Sequence, residues 1–509
     1  MLKTAMVFTD NMVLQRREKV PVWGTAENID SVTVAISDVS VTVPVKDGKW
    51  FAELPPMEAC SSCEMTVRGG GEELKFKNVA IGEVWLAGGQ SNMEFMLKYD
   101  ELRDTEIPSA NEPNIRFFDY PEITYREQLE EQNFSEYGFW RPLDSKNAPY
   151  FSAVGYYFAK SLYPSLNVPI GILGCNYGGS KASAWLDPSY LTGDLESYIT
   201  DYEAAYKALN MTDEEYLEAF SKLGRHAPPR EFGDRMMEGS ASMRQLMRRF
   251  RPQNAEGNPP PMPDMRLRMT GPRSMNCPGV LYRMMLKDVI PYAIRGVLFY
   301  QGESDEDKAD IYDQLFSAMI RCWRRDWGKE LPFLFVQLAA FEKWGMNSGN
   351  NYPALRRSQL NVTRQVKDAY CVCAMDAGMR WDIHPKRKRP IGERLALLAR
   401  AKVYGEDILC MSPIAEECTR HEGYIEIRFS NAGDGLVIHG DVVNALEMFI
   451  EGEPFDCTAT AEGDILRIKC RAIRDDAGEI EIRYAEVPYC DANLYNSAGL
   501  PAFPFTMKV

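Results

Sequence analysis

Over the first 80 residues, apolar side chains recur at every second position. Val32, Val34 and Ile36 alternate with Thr33, Ala35 and Ser37, and a second alternating run spans Val39 to Val45. A period of two puts one set of side chains on one face of a strand. Asp47-Gly48 and Gly69-Gly70-Gly71 supply turns between such runs. From about residue 81 the pattern changes. Continuous apolar runs at Val84–Ala87, Pro169–Leu173, Gly296–Tyr300, Pro332–Gln337 and Cys371–Ala374 predict buried strands. Helices are predicted over Ala153–Leu162, Asp307–Trp327, Ala354–Val366 and Ile391–Val403. Strands alternating with helices imply a parallel sheet covered on both faces, an α/β class. From about residue 406 short alternating segments return, at Tyr424–Phe429, Gly435–His439, Ile465–Cys470 and Ile480–Tyr484. The expected organisation is a β-sandwich region at 1–80, an α/β domain at 81–405 and a second β-sandwich region at 406–509. Residues 187–275 interrupt the α/β rhythm and predict an insertion. It holds a helix signal with a capping box at Thr212 and Glu215, and then turns Met-, Arg- and Pro-rich. A lid over the mouth of the sheet and a peripheral helical decoration fit this insertion equally.

Composition narrows the picture. A chain of 509 residues exceeds one ordinary domain, and 45% hydrophobic with 26% charged residues is the balance of a soluble globular protein. No apolar run reaches the ~18–20 residues of a membrane span. Met1–Phe8 lacks the apolar core of a signal peptide. The expected location is the cytoplasm, or outside the cell if a leader has been removed. A net charge of −15 argues against nucleic acid and anionic membrane as partners. The one basic run, Lys386-Arg387-Lys388-Arg389, is expected to be a solvated loop. Of 12 cysteines, Cys60 and Cys63 form a lone CxxC with no second pair at metal spacing. Buried free thiols are expected for most of them, and no metal site.

Candidate chemistry gathers where ligands bind in open α/β sheets, at the carboxyl ends of strands. Four polar clusters follow predicted strands: Gln90-Ser91-Asn92, Asn176-Tyr177-Gly178-Gly179-Ser180, Gln301-Gly302-Glu303-Ser304-Asp305 and Asp382-Ile383-His384-Pro385. Each alone reads as an ordinary loop or helix cap; their convergence points to acyl transfer. That chemistry needs a nucleophile, a base and oxyanion donors. Ser91, on a Gly-rich turn after a buried strand, is the candidate nucleophile. The base follows by elimination among four histidines: His226 lies in the insertion, His421 and His439 in the C-terminal β region, and His384 at a strand end beside a carboxylate. Asp382 is the first candidate to orient His384, with Glu303 the runner-up and Asp376 third. Candidate oxyanion donors are the backbone N–H of Ser91, that of Gly178 or Gly179, and the side-chain amide of Gln301. Gln90 and Asn92 flank the serine as candidate substrate-binding residues.

In this order the clusters resemble the sialate O-acetylesterase-like family of SGNH hydrolases, carbohydrate esterases that remove acetyl groups from sugars. Asn11-Met12-Val13-Leu14-Gln15 with Val20-Pro21-Val22-Trp23-Gly24 resembles its opening segment. Gly89-Gln90-Ser91-Asn92-Met93-Glu94 resembles its nucleophile block, and Gly178-Gly179-Ser180 with Ala184-Trp185 its second block. Tyr300-Gln301-Gly302-Glu303-Ser304 is similar to the third. Asp382-Ile383-His384-Pro385 with Lys388 and Gly392-Glu393-Arg394-Leu395-Ala396 is similar to the histidine block. Asn493-Leu494-Tyr495-Asn496 with Gly499-Leu500-Pro501-Ala502 resembles its ending. The resemblance implies a flavodoxin-like three-layer SGNH domain with flanking all-β regions, and no metal or organic cofactor. It implies a serine esterase acting on an acetylated carbohydrate. Acetylated sialic acid would want a cation, for which Arg380, Lys386 and Arg387 are candidates. Acetylxylan or another hemicellulose is the alternative substrate. A lipase or thioesterase on the same scaffold and a non-catalytic glycan-binding protein are the rivals. The oligomeric state is left open. Arg283, Phe299 and the Met-rich insertion depart from the family pattern and are expected at the substrate pocket.

Overall fold

The buried apolar runs of the first half assemble as a parallel sheet. The computed structural model describes residues 1–225, 234, 237–238, 264, 266–345, 347–474 and 478–509. They divide into two units, 1–304 with 314–333, and 305–313 with 334–509.

In the first unit the strand order is Arg141–Asp144, Asn111–Asp119, Ile170–Asn176, Glu72–Gly89, Gly296–Tyr300. All pairings are parallel except that of the edge strand Arg141–Asp144. Every residue of Ile170–Asn176 is buried, as a strand covered on both faces requires. The helix Ala153–Leu166 starts at Ser152, whose hydroxyl accepts the Gly155 N–H at 3.1 Å. The helix Tyr312–Trp327 sends Phe316 and Trp323 against Phe299, with ring centroids 4.9 and 6.0 Å apart. Phe299 is therefore part of an aromatic core under the sheet, which corrects its expected place at a substrate pocket. Glu72–Gly89 is one strand of 18 residues. Its first half pairs antiparallel with Cys60–Gly69 and its second half enters the parallel sheet. The expected boundary near residue 80 thus falls inside a continuous strand. The buried Arg116 guanidinium reinforces that continuity, donating to Asn11 O at 3.1 Å, to Ser61 O at 2.8 Å and to Asn78 O.

The second unit holds all but the first residue of the strand Phe333–Val336, its neighbour Ala369–Val372 and the helices Tyr352–Gln365 and Arg389–Leu398. Two four-stranded antiparallel sheets follow. Their orders are Ile414–His421, Tyr424–Ser430, Ile465–Lys469, Thr458–Glu462, and Glu453–Phe455, Leu446–Ile450, Ile480–Tyr484, Phe505–Lys508. Alternate residues are buried, as in Ile425, Ile427 and Phe429. Arg356, fully buried, donates to Leu338 O (3.0 Å), Ala339 O (2.9 Å), Val487 O (2.8 Å) and Pro488 O (2.9 Å).

Several expectations shift. The helix predicted over Asp307–Trp327 is broken at Lys308 (φ −128°, ψ 35°), with a 3-10 segment Glu303–Ile311 before the α-helix. Ala369–Val372 ends before Cys373, so Cys371 and Cys373 do not share a strand. Cys60 and Cys63 are joined as a disulfide rather than left as thiols. Asn111–Asp119 and Arg141–Asp144 were not among the predicted strands, because their polar and proline-containing sequences show neither period. In the basic run, Lys388 is fully buried and Lys386 is paired with Asp382 at 3.0 Å, so half of it faces inward. The capping box forms: Thr212 N–H donates to Glu215 at 2.8 Å, and Glu215 N–H to the Thr212 hydroxyl at 3.2 Å. His226 and the Pro-rich end of the insertion lie outside the described residues. Among the described residues no helix is long and apolar enough to cross a membrane.

Candidate active site

Register brings the serine cluster together. Asn176 and Tyr300 both pair with Gly89, so three parallel strands end at one level. The chain then leaves the sheet through Gln90-Ser91, Tyr177-Gly178 and Gln301-Gly302 side by side. Gly89 has φ 136°, and a Cβ there would lie 2.1 Å from Tyr300 O. Only glycine lets the backbone pass. Cross-links follow. Gln90 N–H donates to Tyr300 O at 3.0 Å, Tyr177 N–H to Gly89 O at 3.1 Å, and Gly302 N–H to Gln90 Oε1 at 3.4 Å. Asn92 Nδ2 donates to Glu303 Oε1, and Gln301 Nε2 to Ser180 O at 3.1 Å. Gln90, Asn92 and Gln301 are buried, whereas Ser91 is half-buried at the start of the short helix Ser91–Glu94.

Gly178 lies against the serine: a Cβ built on it would be 3.5 Å from Ser91 Cβ and 2.9 Å from Glu94 Oε2. Gly179 holds φ 75°, the left-handed conformation that turns the chain. The Gly178 N–H points at the Glu94 carboxylate, so it is already engaged. Gln301, expected to offer its amide, spends one N–H on Ser180 O. Three carboxyls border this region. Burial and the Asp119 charge push Glu94 up to about 7. Burial pushes Asp119 up to about 6 against the opposing pull of Arg141, 3.6 Å away. Glu122 is driven well above the usual range by burial and by the charges of Glu94 and Asp119. Nothing in the sequence pattern around Ser91 marks Glu94 for a role. Its environment is set by burial and then by Asp119, on a strand the sequence did not reveal.

The second unit presents the histidine. The Asp382 Oδ1 accepts the backbone N–H of His384 at 2.8 Å, a turn that aspartate side chains favour. His384 Nδ1 is 3.9 Å from that same oxygen, beyond direct hydrogen bonding. Lys386 Nζ meets Asp382 Oδ2 at 3.0 Å. Trp344 stands edge-on to the imidazole, with ring centroids 5.6 Å apart and planes at 81°. His384 is only 6% exposed, and burial with the charges of Lys388 and Lys386 pushes it down to about 3. The imidazole is therefore neutral at any ordinary pH, as a proton acceptor must be. Asp376, the third candidate carboxylate, is committed elsewhere. Arg394 grips both its oxygens at 2.8 and 2.7 Å. Arg380 is exposed, paired with Glu342 at 2.8 Å and lying 4.6 Å over the Tyr489 ring. Next to it, Trp381 is 62% exposed. Arg283, in the first unit, is exposed, with Nη1 3.4 Å from Pro278 O. Among the described residues no group of three or more His, Cys, Asp or Glu could hold a metal ion.

Comparison with known proteins places this arrangement. Residues 275–399 match the family described as carbohydrate esterase, sialic acid-specific acetylesterase. The chain is 27% identical over 440 residues to the sialate O-acetylesterase of Rattus norvegicus, covering 78% of this chain and 73% of that one. It is 24% identical over 464 residues to the Homo sapiens sialate O-acetylesterase, covering 84% and 76%. A solved carbohydrate acetylesterase from Xanthomonas citri is 28% identical and superposes with a TM-score of 0.76 over 99% of each chain. These matches define a carboxylic ester hydrolase of the carbohydrate esterase class. Within that class, the chain is similar to the sialate O-acetylesterases over most of its length.

Proposed function

We propose that the protein is a serine esterase that removes O-acetyl groups from carbohydrates through an acetyl-enzyme, on a flavodoxin-like SGNH scaffold flanked by accessory β regions at 1–80 and 406–509. The observation that carries the reading is the placement of half-buried Ser91 beside Gly178 at three aligned strand ends. Ser91 Oγ attacks the acetyl carbonyl, and neutral His384 takes its proton. The Ser91 and Gly179 N–H groups receive the developing oxyanion. His384 returns the proton to the departing sugar hydroxyl, then activates the water that releases acetate. Asp382 is the first candidate to orient the imidazole, with Glu303 as its rival. Trp381 offers an exposed aromatic face for a sugar ring.

The family match supports acetylated sialic acid as substrate. A second reading, acetylxylan or a related neutral polysaccharide, draws support from the pairing of Arg380 with Glu342, which occupies a cation that an anionic sugar would want. The test is acetate release by wild type and Ser91→Ala from p-nitrophenyl acetate, acetylated sialic acid and acetylated xylo-oligosaccharide. Ser91→Ala is expected to lose at least ~10³-fold in kcat on all three while staying folded. Wild-type activity in that variant would end the serine mechanism. The ratio of the two sugar activities in wild type decides the substrate class.

A further inference from the structure

Glu94 lies one helical turn beyond Ser91, and the proposed chemistry does not use it. Its backbone N–H is held by Gln90 O at 3.1 Å, which fixes the residue on the serine's own short helix. Its side chain is half-buried and turns toward the adjacent strand end, where the Gly178 N–H points at the carboxylate. A Cβ added at position 178 would lie 2.9 Å from Glu94 Oε2, so the carboxylate packs directly against the turn. One carboxylate therefore links the helix carrying Ser91 to the turn carrying Gly178 and Gly179. We infer that Glu94 is a positioning residue: its ionised carboxylate holds the Gly178-Gly179 turn against Ser91, and its protonation loosens that turn. This role rests on the assignment of Ser91 as nucleophile.

The surroundings make the switch accessible near neutral pH. From the end of the Asn111–Asp119 strand Asp119 faces Glu94, and from the loop beyond it Glu122 does the same. Tyr177 approaches from the turn itself, with Arg268 and Tyr125 behind it, and Arg141 flanks Asp119. Burial first, then the Asp119 charge, holds Glu94 at about 7, whereas the Gly178 N–H favours its ionised form. His384, at about 3, stays neutral across this range. An acid limb in kcat near pH 7 would then belong to Glu94 and not to the histidine.

The experiment is kcat and KM for p-nitrophenyl acetate between about pH 5 and 9 for wild type, Glu94→Gln, Glu94→Asp and Ser91→Ala, with thermal unfolding of each. Wild-type kcat is expected to fall below pH ~7 to a lower plateau. Glu94→Gln cannot ionise and is expected to show that lower plateau at every pH, about tenfold below wild type at pH 8, with KM unchanged. Glu94→Asp keeps an ionisable group and is expected to recover a pH-dependent limb. A limb near 7 that persists in Glu94→Gln, or wild-type kcat at pH 8 in that variant, overturns the inference. If Glu94→Gln is unstable, a flat profile in well-folded Glu94→Asp overturns it equally. Activity retained in Ser91→Ala instead overturns the serine reading on which the inference rests.

Discussion

The strand ends that carry Ser91 and the loop that carries His384 are built by opposite means. Ser91 is placed by backbone. Three parallel strands stop in register, glycine at 89 permits a close pass, and main-chain bonds tie the loops together. His384 is placed by side chains: an aspartate turn, a lysine–aspartate pair and the edge of a tryptophan. Their electrostatics are opposed as well. Burial, and then neighbouring carboxyls, push the carboxyls of the serine region up, whereas burial, and then Lys388 and Lys386, push the histidine down. The signs for stability follow. Glu94 and Asp119, raised in the folded state, contribute stability that is present below about pH 4 and lost as pH rises through 6 to 7. His384, depressed in the folded state, contributes stability that is present above its unfolded value of 6.5 and lost as pH falls toward 3. A nucleophile set by register tolerates little change in backbone, while a base set by charged neighbours can be tuned by single substitutions.

The largest effect that would break this contrast is on catalysis. Asp382→Asn is expected to lower kcat by ~10²–10⁴-fold if that carboxylate orients the imidazole. Glu303→Gln is expected to cost less, because Gln keeps an oxygen that can accept from Asn92. Steady-state kinetics on the two variants decide between the carboxylates, and the reverse order would transfer the orienting role to Glu303. A smaller effect concerns charge. Lys386→Met removes the cation that neutralises Asp382, so the imidazole is expected to titrate about one unit higher by NMR, with less destabilisation in acid. An unmoved titration would mean that burial alone sets the histidine. The smallest effect concerns the sugar. Trp381→Ala is expected to raise KM about threefold to tenfold for an acetylated oligosaccharide, leaving p-nitrophenyl acetate unchanged. Equal KM on both substrates would remove Trp381 from the binding surface.

Much of the serine region was legible in the sequence. Buried runs followed by glycines and polar residues marked Ser91, Gly178 and Gln301, because a parallel sheet needs apolar strands and its close turns need glycine. The histidine was legible by scarcity. What escaped depended on strands without a period. Asn111–Asp119 places Asp119 beside Glu94, and nothing in its sequence signalled a central strand. Lys386 and Lys388 read as solvated charge because a run of four basic residues does not reveal which of them turn inward. Phe299 read as a pocket residue because its aromatic partners, Phe316 and Trp323, lie on a helix that only folding brings beneath it.

Arg356 has a practical consequence for anyone wishing to shorten the chain. Two of the four carbonyls around its guanidinium, those of Val487 and Pro488, come from the C-terminal β region. Stopping translation near residue 405 would strip them away and leave a buried cation half-solvated, at a cost of ~3–5 kcal/mol. The C-terminal hundred residues form sheets of their own, yet a minimal enzyme trimmed of them should be recovered as insoluble or protease-sensitive protein.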